Sequence, residues 1–210
     1  MKAVLQVRGL NFSYPQRALF TDWHADVPPG VSFVRGGDGQ GKSTLLRLLA
    51  GDLTAGQVVS AGRCTVNGIA LHEQPQTYRQ QVFWADPHAA LFDPMTPAAV
   101  FAEMTLRYPT LDLHAIAPLM EGLSLTEHQH KALYMLSTGS RRKVLLAAAF
   151  ASGVPVILLD NPFAALDKAS IQFVKQCLGR VSASLHCACI VAGYEVPDDV
   201  KLSAVFDLGC

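Results

Sequence analysis

The sequence lacks an excess of charge of either sign. Seventeen basic residues meet seventeen acidic ones, so the formal net charge is zero. That leaves no long-range basic field of the kind that draws in nucleic acid or an anionic membrane surface, and nucleic acid is not expected as a partner. Long apolar runs are missing too, since none reaches the roughly 20 residues a helix needs to span a bilayer. The opening Met1-Lys2-Ala3-Val4 runs into a strand-like pattern rather than a signal peptide. A cytoplasmic chain without a span of its own is the expectation. Five cysteines (Cys64, Cys177, Cys187, Cys189 and Cys210) are an odd number without zinc-ligand pairing. They read as buried free thiols. There is no internal repeat and no low-complexity tract.

What is present suits a well-packed domain. Half of the 210 residues are hydrophobic, enough for a sizeable core. The N-terminal stretch is rich in β signals: residues 3–7 and 10–14 look like paired strands, and 23–27 like a third before Pro28-Pro29-Gly30. Cys64-Thr65-Val66-Asn67-Gly68 reads as a strand entering a turn, and Val82-Phe83-Trp84 as a short strand. From 96 to about 133 the pattern turns helical, with Pro109 and Pro118 expected to break it into short pieces. Later segments alternate: a helix over 141–152, an apolar strand over 156–160, a helix over 168–178 and a strand over 185–192. The expected fold is α/β, a phosphate-loop NTPase core with a parallel sheet, an N-terminal antiparallel β subdomain and a short inserted helical lobe at about 96–138. A single domain over 1–210 is expected.

The stretch Gly36-Gly37-Asp38-Gly39-Gln40-Gly41-Lys42-Ser43-Thr44 organises the chain. It fits G-x-x-x-x-G-K-[ST], the phosphate-binding loop, with a strand-like Val31-Ser32-Phe33-Val34 before it and a helix-like Thr44-Leu45-Leu46-Arg47-Leu48-Leu49-Ala50 at its end. Glycines let successive backbone N–H groups converge on an anion. Lys42 supplies a cation to the β- and γ-phosphates, the Ser43 hydroxyl is a Mg²⁺ ligand, and the helix N-terminus favours negative charge. The residues therefore point to ATP or a similar nucleoside triphosphate with Mg²⁺. Asp160 ends the apolar strand Val156-Ile157-Leu158-Leu159. Such a carboxylate either caps the next helix or, downstream of a phosphate loop, reaches the Mg²⁺ shell, and the second reading is preferred.

With these elements in hand, nearly the whole chain resembles the nucleotide-binding domain of ATP-binding cassette (ABC) proteins. Tyr14, in Asn11-Phe12-Ser13-Tyr14-Pro15, falls where that family stacks an aromatic on adenine. Leu136-Ser137-Thr138-Gly139-Ser140 resembles the signature LSGGQ, and Asp160 followed by Asn161-Pro162-Phe163-Ala164-Ala165-Leu166-Asp167 resembles the second Walker motif and its loop. The compact length resembles small ATP-binding subunits of bacterial transporters. The resemblance implies a head-to-tail dimer with a second nucleotide-binding domain, homo- or heteromeric. Ser137 and the Gly139 backbone then serve the γ-phosphate held by the partner. It also implies a separately encoded transmembrane permease and a peripheral position on the inner face of the membrane.

The departures from the family all concern hydrolysis. The glutamate expected after Asp160 is Asn161, whose amide orients water but accepts no proton. The switch histidine is replaced, in our register, by Tyr194, a hydrogen-bond donor of much higher pKa. The glutamine after Val82-Phe83-Trp84 is missing; Asp86, Pro87 and His88 lie there, and counting does not decide which fills the place. Ser140 replaces the signature's last glutamine. The catalytic set under test is thus Lys42, Asp160, Asn161 and Tyr194. Two functions follow: an ATP-driven transporter subunit, and a hydrolysis-deficient ATP-binding regulatory or structural module. Arg141-Arg142-Lys143 is expected as a solvated helix face, and Glu195, Asp198 and Asp199 as a solvated turn. Lys42→Ala is expected to abolish MgATP binding in titration calorimetry; unchanged affinity contradicts the loop assignment.

Overall fold

The computed structural model describes residues 2–52, 59–84, 86 and 90–209. Strand β1 (Leu5–Tyr14) and strand β2 (Arg17–Val27) pair as an antiparallel hairpin. This corrects the expectation of separate short strands over 3–7, 10–14 and 23–27. β1 continues through Gly9, whose φ of 59° accompanies a register shift between Val7 and Leu10, so one bulged strand does the work of two. On the other side of β1 lies β4 (Val59–Val66), which turns back through Asn67 and Gly68 into β5 (Ile69–Ala70). Both turn residues have positive φ, as a two-residue hairpin turn requires.

The second sheet is parallel. It comprises β3 (Gly30–Arg35), β6 (Val82–Trp84), β7 (Val156–Asp160), β8 (Ala188–Gly193) and β9 (Leu202–Asp207), in the order β6-β7-β8-β3-β9. The edge strand β9 was not expected from the sequence. Its burial alternates residue by residue, so it lacks the continuous apolar run that marks the central strands. In β7 every residue up to Leu159 is buried, because both faces are covered. Val156 and Leu158 pack with Leu45, Leu49 and Tyr78. Ile157 and Leu159 pack with Val144, Ala147 and Val174 on the opposite side.

Helix α1 (Lys42–Ala50) follows β3 and lies in the first of these layers, near the short α2 (Pro75–Arg79). Helices α3 (Pro97–Arg107), α4 (Leu113–Gly122), α5 (Thr138–Ala151) and α6 (Lys168–Ser182) build the other layer. Pro109 separates α3 from α4 as expected, but Pro118 lies inside α4 and does not end it. The carbonyl it leaves without a partner belongs to His114, an exposed residue in the first turn, where water can serve it. Cys64, Cys177 and Cys189 are buried free thiols and Cys187 is half-buried; burial pushes the Cys64 and Cys187 thiols up to about 11. Cys210 lies outside the described residues. Among the described residues no helix is long and apolar enough to cross a membrane.

Tyr78 is fully buried, and its hydroxyl donates to the Leu49 carbonyl at 2.7 Å in the last turn of α1. Tyr78→Phe leaves that carbonyl unpaired, with an expected loss of about 1 kcal/mol in urea unfolding. An unchanged unfolding midpoint contradicts this anchor for α1.

Candidate functional site

The carboxyl ends of β3, β7 and β8 meet at one level, since Arg35 pairs with Gly193 and Asp160 with Ala192. β8 lies between β3 and β7, so the chain crosses over there, and open parallel sheets form their ligand crevices at such points. The phosphate loop leaves β3 and enters α1 through Gly41, which has φ 94° and provides no side-chain cap. That φ is what calls for glycine here; a Cβ would also meet the Leu19 side-chain tip at 2.1 Å, which a rotamer change could relieve. The N–H groups opening α1 are therefore left for a ligand.

A cavity of about 340 Å³ sits over this turn, lined in part by Tyr14, Asp38, Lys42, Ser43, Asn161 and Tyr194. Gly37, Gly39, Gly41 and Thr44 complete its floor. The Lys42 ammonium donates to the carbonyls of Gly36 at 2.6 Å and Gly37 at 2.9 Å. The Gln40 side chain folds back and accepts from the Gly37 N–H. Tyr14 Oη and Thr44 Oγ1 are 3.2 Å apart, and the Tyr14 ring stands edge-on to Phe12 at the mouth. Arg17, which the sequence reading missed, also lines the mouth and donates to the Gly39 carbonyl at 3.2 Å.

Ser43 Oγ donates directly to Asp160 Oδ2. One hydroxyl and one carboxylate at the phosphate end of a cavity make a hard-oxygen donor pair of the kind Mg²⁺ takes alongside phosphate oxygens and water. Among the described residues no group of three or more His, Cys, Asp or Glu could hold a metal alone. The donor pair therefore fits a cation brought in with phosphates, not an all-protein cage. Asn161 has φ 45° and donates its backbone N–H to Ala192 O at 2.9 Å. Its amide Nδ2 lies 3.3 Å from Asp160 Oδ1, so the amide is placed beside the carboxylate that Ser43 contacts. Tyr194 reaches in from the end of β8, donating to Asp38 Oδ1 with its ring over Lys42.

Ser137 and Gly139 are not brought to this cavity. Ser137 caps α5, accepting from the Ser140 N–H at 3.1 Å. A Cβ on Gly139 would stand 2.2 Å from the Ala165 carbonyl oxygen, so α5 begins in direct contact with the loop after β7. The expectation of a solvated face at Arg141-Arg142-Lys143 is wrong. Arg142 Nη1 donates to the Ala164 carbonyl at 2.7 Å and, at 3.3 Å, to that of Asn161. Lys143 is buried and pairs at 2.6 Å with Asp167, which caps α6. That hydrogen bond, with the Ser170 backbone bond next in importance, holds the Asp167 carboxyl well below its ordinary range. Arg141 pairs with Asp93 at 3.0 Å. Charge adjacency alone concealed these four partners, because each lies at least 19 residues away in sequence. Asp86 pairs with Arg47 at 2.6 Å, while Pro87 and His88 lie outside the described residues.

A family model described as "ABC transporter" matches residues 22–164. The "Cytochrome c biogenesis ATP-binding export protein CcmA" of Pseudomonas savastanoi pv. phaseolicola is 32% identical over 168 residues, covering 80% of this chain and 77% of that protein. The protein of the same name from Sphingopyxis alaskensis is 36% identical, with 81% and 79% covered. A solved structure, "Structure of ATP binding subunit of ABC transporter", superposes with a TM-score of 0.81 at 21% identity, covering 91% of this chain and 80% of that one. Its fold is the same.

Gly139→Ala is expected to cost about 1–3 kcal/mol in urea unfolding, because the neighbour it meets is backbone and cannot rotate away. Unchanged stability contradicts the close contact of α5 with the loop after β7.

Proposed function

The chain belongs to the ABC transporter family. From that premise we propose that it is the ATP-binding subunit of a transporter, acting as one nucleotide-binding domain that holds MgATP in a head-to-tail dimer. The observation that carries this is the Ser43–Asp160 contact at the lip of the Lys42 cavity. In this reading Lys42 and the loop N–H groups grip the phosphates, and Tyr14 takes the adenine. Ser43 and Asp160 would hold Mg²⁺, which when bound would neutralise negative charge on the phosphates. Ser137 and Gly139 open α5 at a helix N-terminus away from the cavity, which suits an anion site completed across an interface.

The membrane partner is proposed to be a separate permease that docks on the helical lobe, about 96–138. Leu91, Leu106, Tyr134 and Met135 are each at least 60% exposed, on or beside that lobe. ATP sandwiched in the dimer then biases the permease by bringing two lobes together, and the subunit works peripherally on the cytoplasmic side of a membrane.

Asn161 favours a second reading of the turnover step. An amide beside Asp160 orients a water but cannot take its proton. Binding then drives closure, and hydrolysis is slow unless the partner chain supplies a base. Steady-state hydrolysis of the parent is expected below about one per second, with Asn161→Glu faster by at least about a hundredfold. A parent that turns over faster than that, with no gain in the variant, contradicts the assignment of Asn161 to the limiting position.

A further inference from the structure

Tyr194 stands directly beyond Gly193 at the end of β8 and is 58% exposed. A tyrosine so exposed ordinarily samples several rotamers, yet this one is held at two points. Its hydroxyl donates to Oδ1 of Asp38 in the phosphate loop. Its ring centroid stands 4.5 Å from Lys42 Nζ. An ammonium has three protons to give. Gly36 O and Gly37 O take two of them, and the aromatic ring closes over the same ammonium. Lys42 is left only 7% exposed although it floors an open cavity.

We propose that Tyr194 and Asp38 form a pair that positions the Lys42 ammonium for the phosphates: the ring walls Lys42 off from water, and Asp38 fixes the ring. The proposal rests on the nucleotide-site reading above and adds a role that Tyr194 performs through Lys42. Tyr194 is a positioning residue here, because its hydroxyl is committed to Asp38. Two physical effects follow from the wall. The ring face attracts the cation directly. Displacing water also lowers the local dielectric, which strengthens attraction between the ammonium and a phosphate. The hydrogen bond to Asp38, and then the charge of that carboxylate, push the Tyr194 hydroxyl above its ordinary range, so the donor stays protonated through neutral pH.

The pair ties two segments that are far apart in sequence, the loop after β3 and the loop after β8. Neither residue needs the other for folding, because both lie at the surface. Loss of either partner should therefore be read in nucleotide affinity and not in stability.

The test is a double-mutant cycle on the full chain, with MgATP and MgADP affinities from titration calorimetry and thermal melts for folding. Tyr194→Leu removes the ring and is expected to weaken both nucleotides alike, by about three- to tenfold. Tyr194→Phe and Asp38→Ala each release the anchor, with about two- to fourfold weakening expected, and the double variant is no weaker than either single one. Weakening of MgADP as well as MgATP marks action through Lys42, which serves the β-phosphate common to both, whereas a hydroxyl bonded to the terminal phosphate would register with MgATP alone. Additive single effects, a loss confined to MgATP, or unchanged affinity in Tyr194→Leu overturns the pair and leaves the nucleotide site standing. A parent chain that binds neither nucleotide overturns both.

Discussion

Everything at the head of the parallel sheet depends on the first turn of α1 meeting the end of β7. Ser43 Oγ on Asp160 Oδ2 is that meeting in its most local form. α1 can reach β7 because it crosses over β8 and packs its Leu45 and Leu49 face on Val156 and Leu158. The apolar packing fixes the helix, the helix fixes the loop before it, and the loop fixes Lys42. A polar pair alone could not enforce this geometry, since one hydrogen bond contributes on the order of 1 kcal/mol. The burial of the strands on both faces supplies the rest.

A second set of contacts links that centre to α5. The loop after β7 is held from one side by Arg142, from below by the close approach of Gly139, and at its end by Lys143 on Asp167. Asn161 and Ala165 both adopt positive φ within this loop, a conformation that non-glycine residues hold only when their surroundings over-determine it. The backbone bond from Asn161 to Ala192 and the Arg142 guanidinium bonds to the loop carbonyls provide those surroundings. α5 and Asn161 are thus linked through Arg142. In the proposed dimer this is a physical route from the partner's phosphate to the residue beside Asp160.

How legible the molecule was in its sequence varied with the range of the interaction. The strand, glycine turn and helix around Gly36 to Thr44 were legible, because that motif is local and needs glycines and Lys42 at fixed offsets. The order of strands and helices between Thr96 and Ala192 was legible for the same reason, through apolar runs and breaks. The N-terminal strands were misdivided because Gly9 reads as a stop, whereas in the sheet it carries a bulge. β9 was missed because an edge strand half open to water lacks the apolar run of β7 or β8. Arg142, Lys143 and Arg17 were misread or overlooked for a different reason. A cation's partner is set by tertiary contact, and nothing in the spacing of Arg141-Arg142-Lys143 shows that the helix face turns inward.

In the proposed function Ser43 and Asp160 present Mg²⁺ to a nucleotide whose phosphates lie on Lys42. Titration of ATP into the parent and into Asp160→Asn, each with Mg²⁺ and with Mg²⁺ chelated, tests it most directly. Mg²⁺ is expected to tighten ATP binding to the parent, and Asp160→Asn to lose most of this gain while still binding the metal-free nucleotide. The same Mg²⁺ dependence in both chains would contradict it.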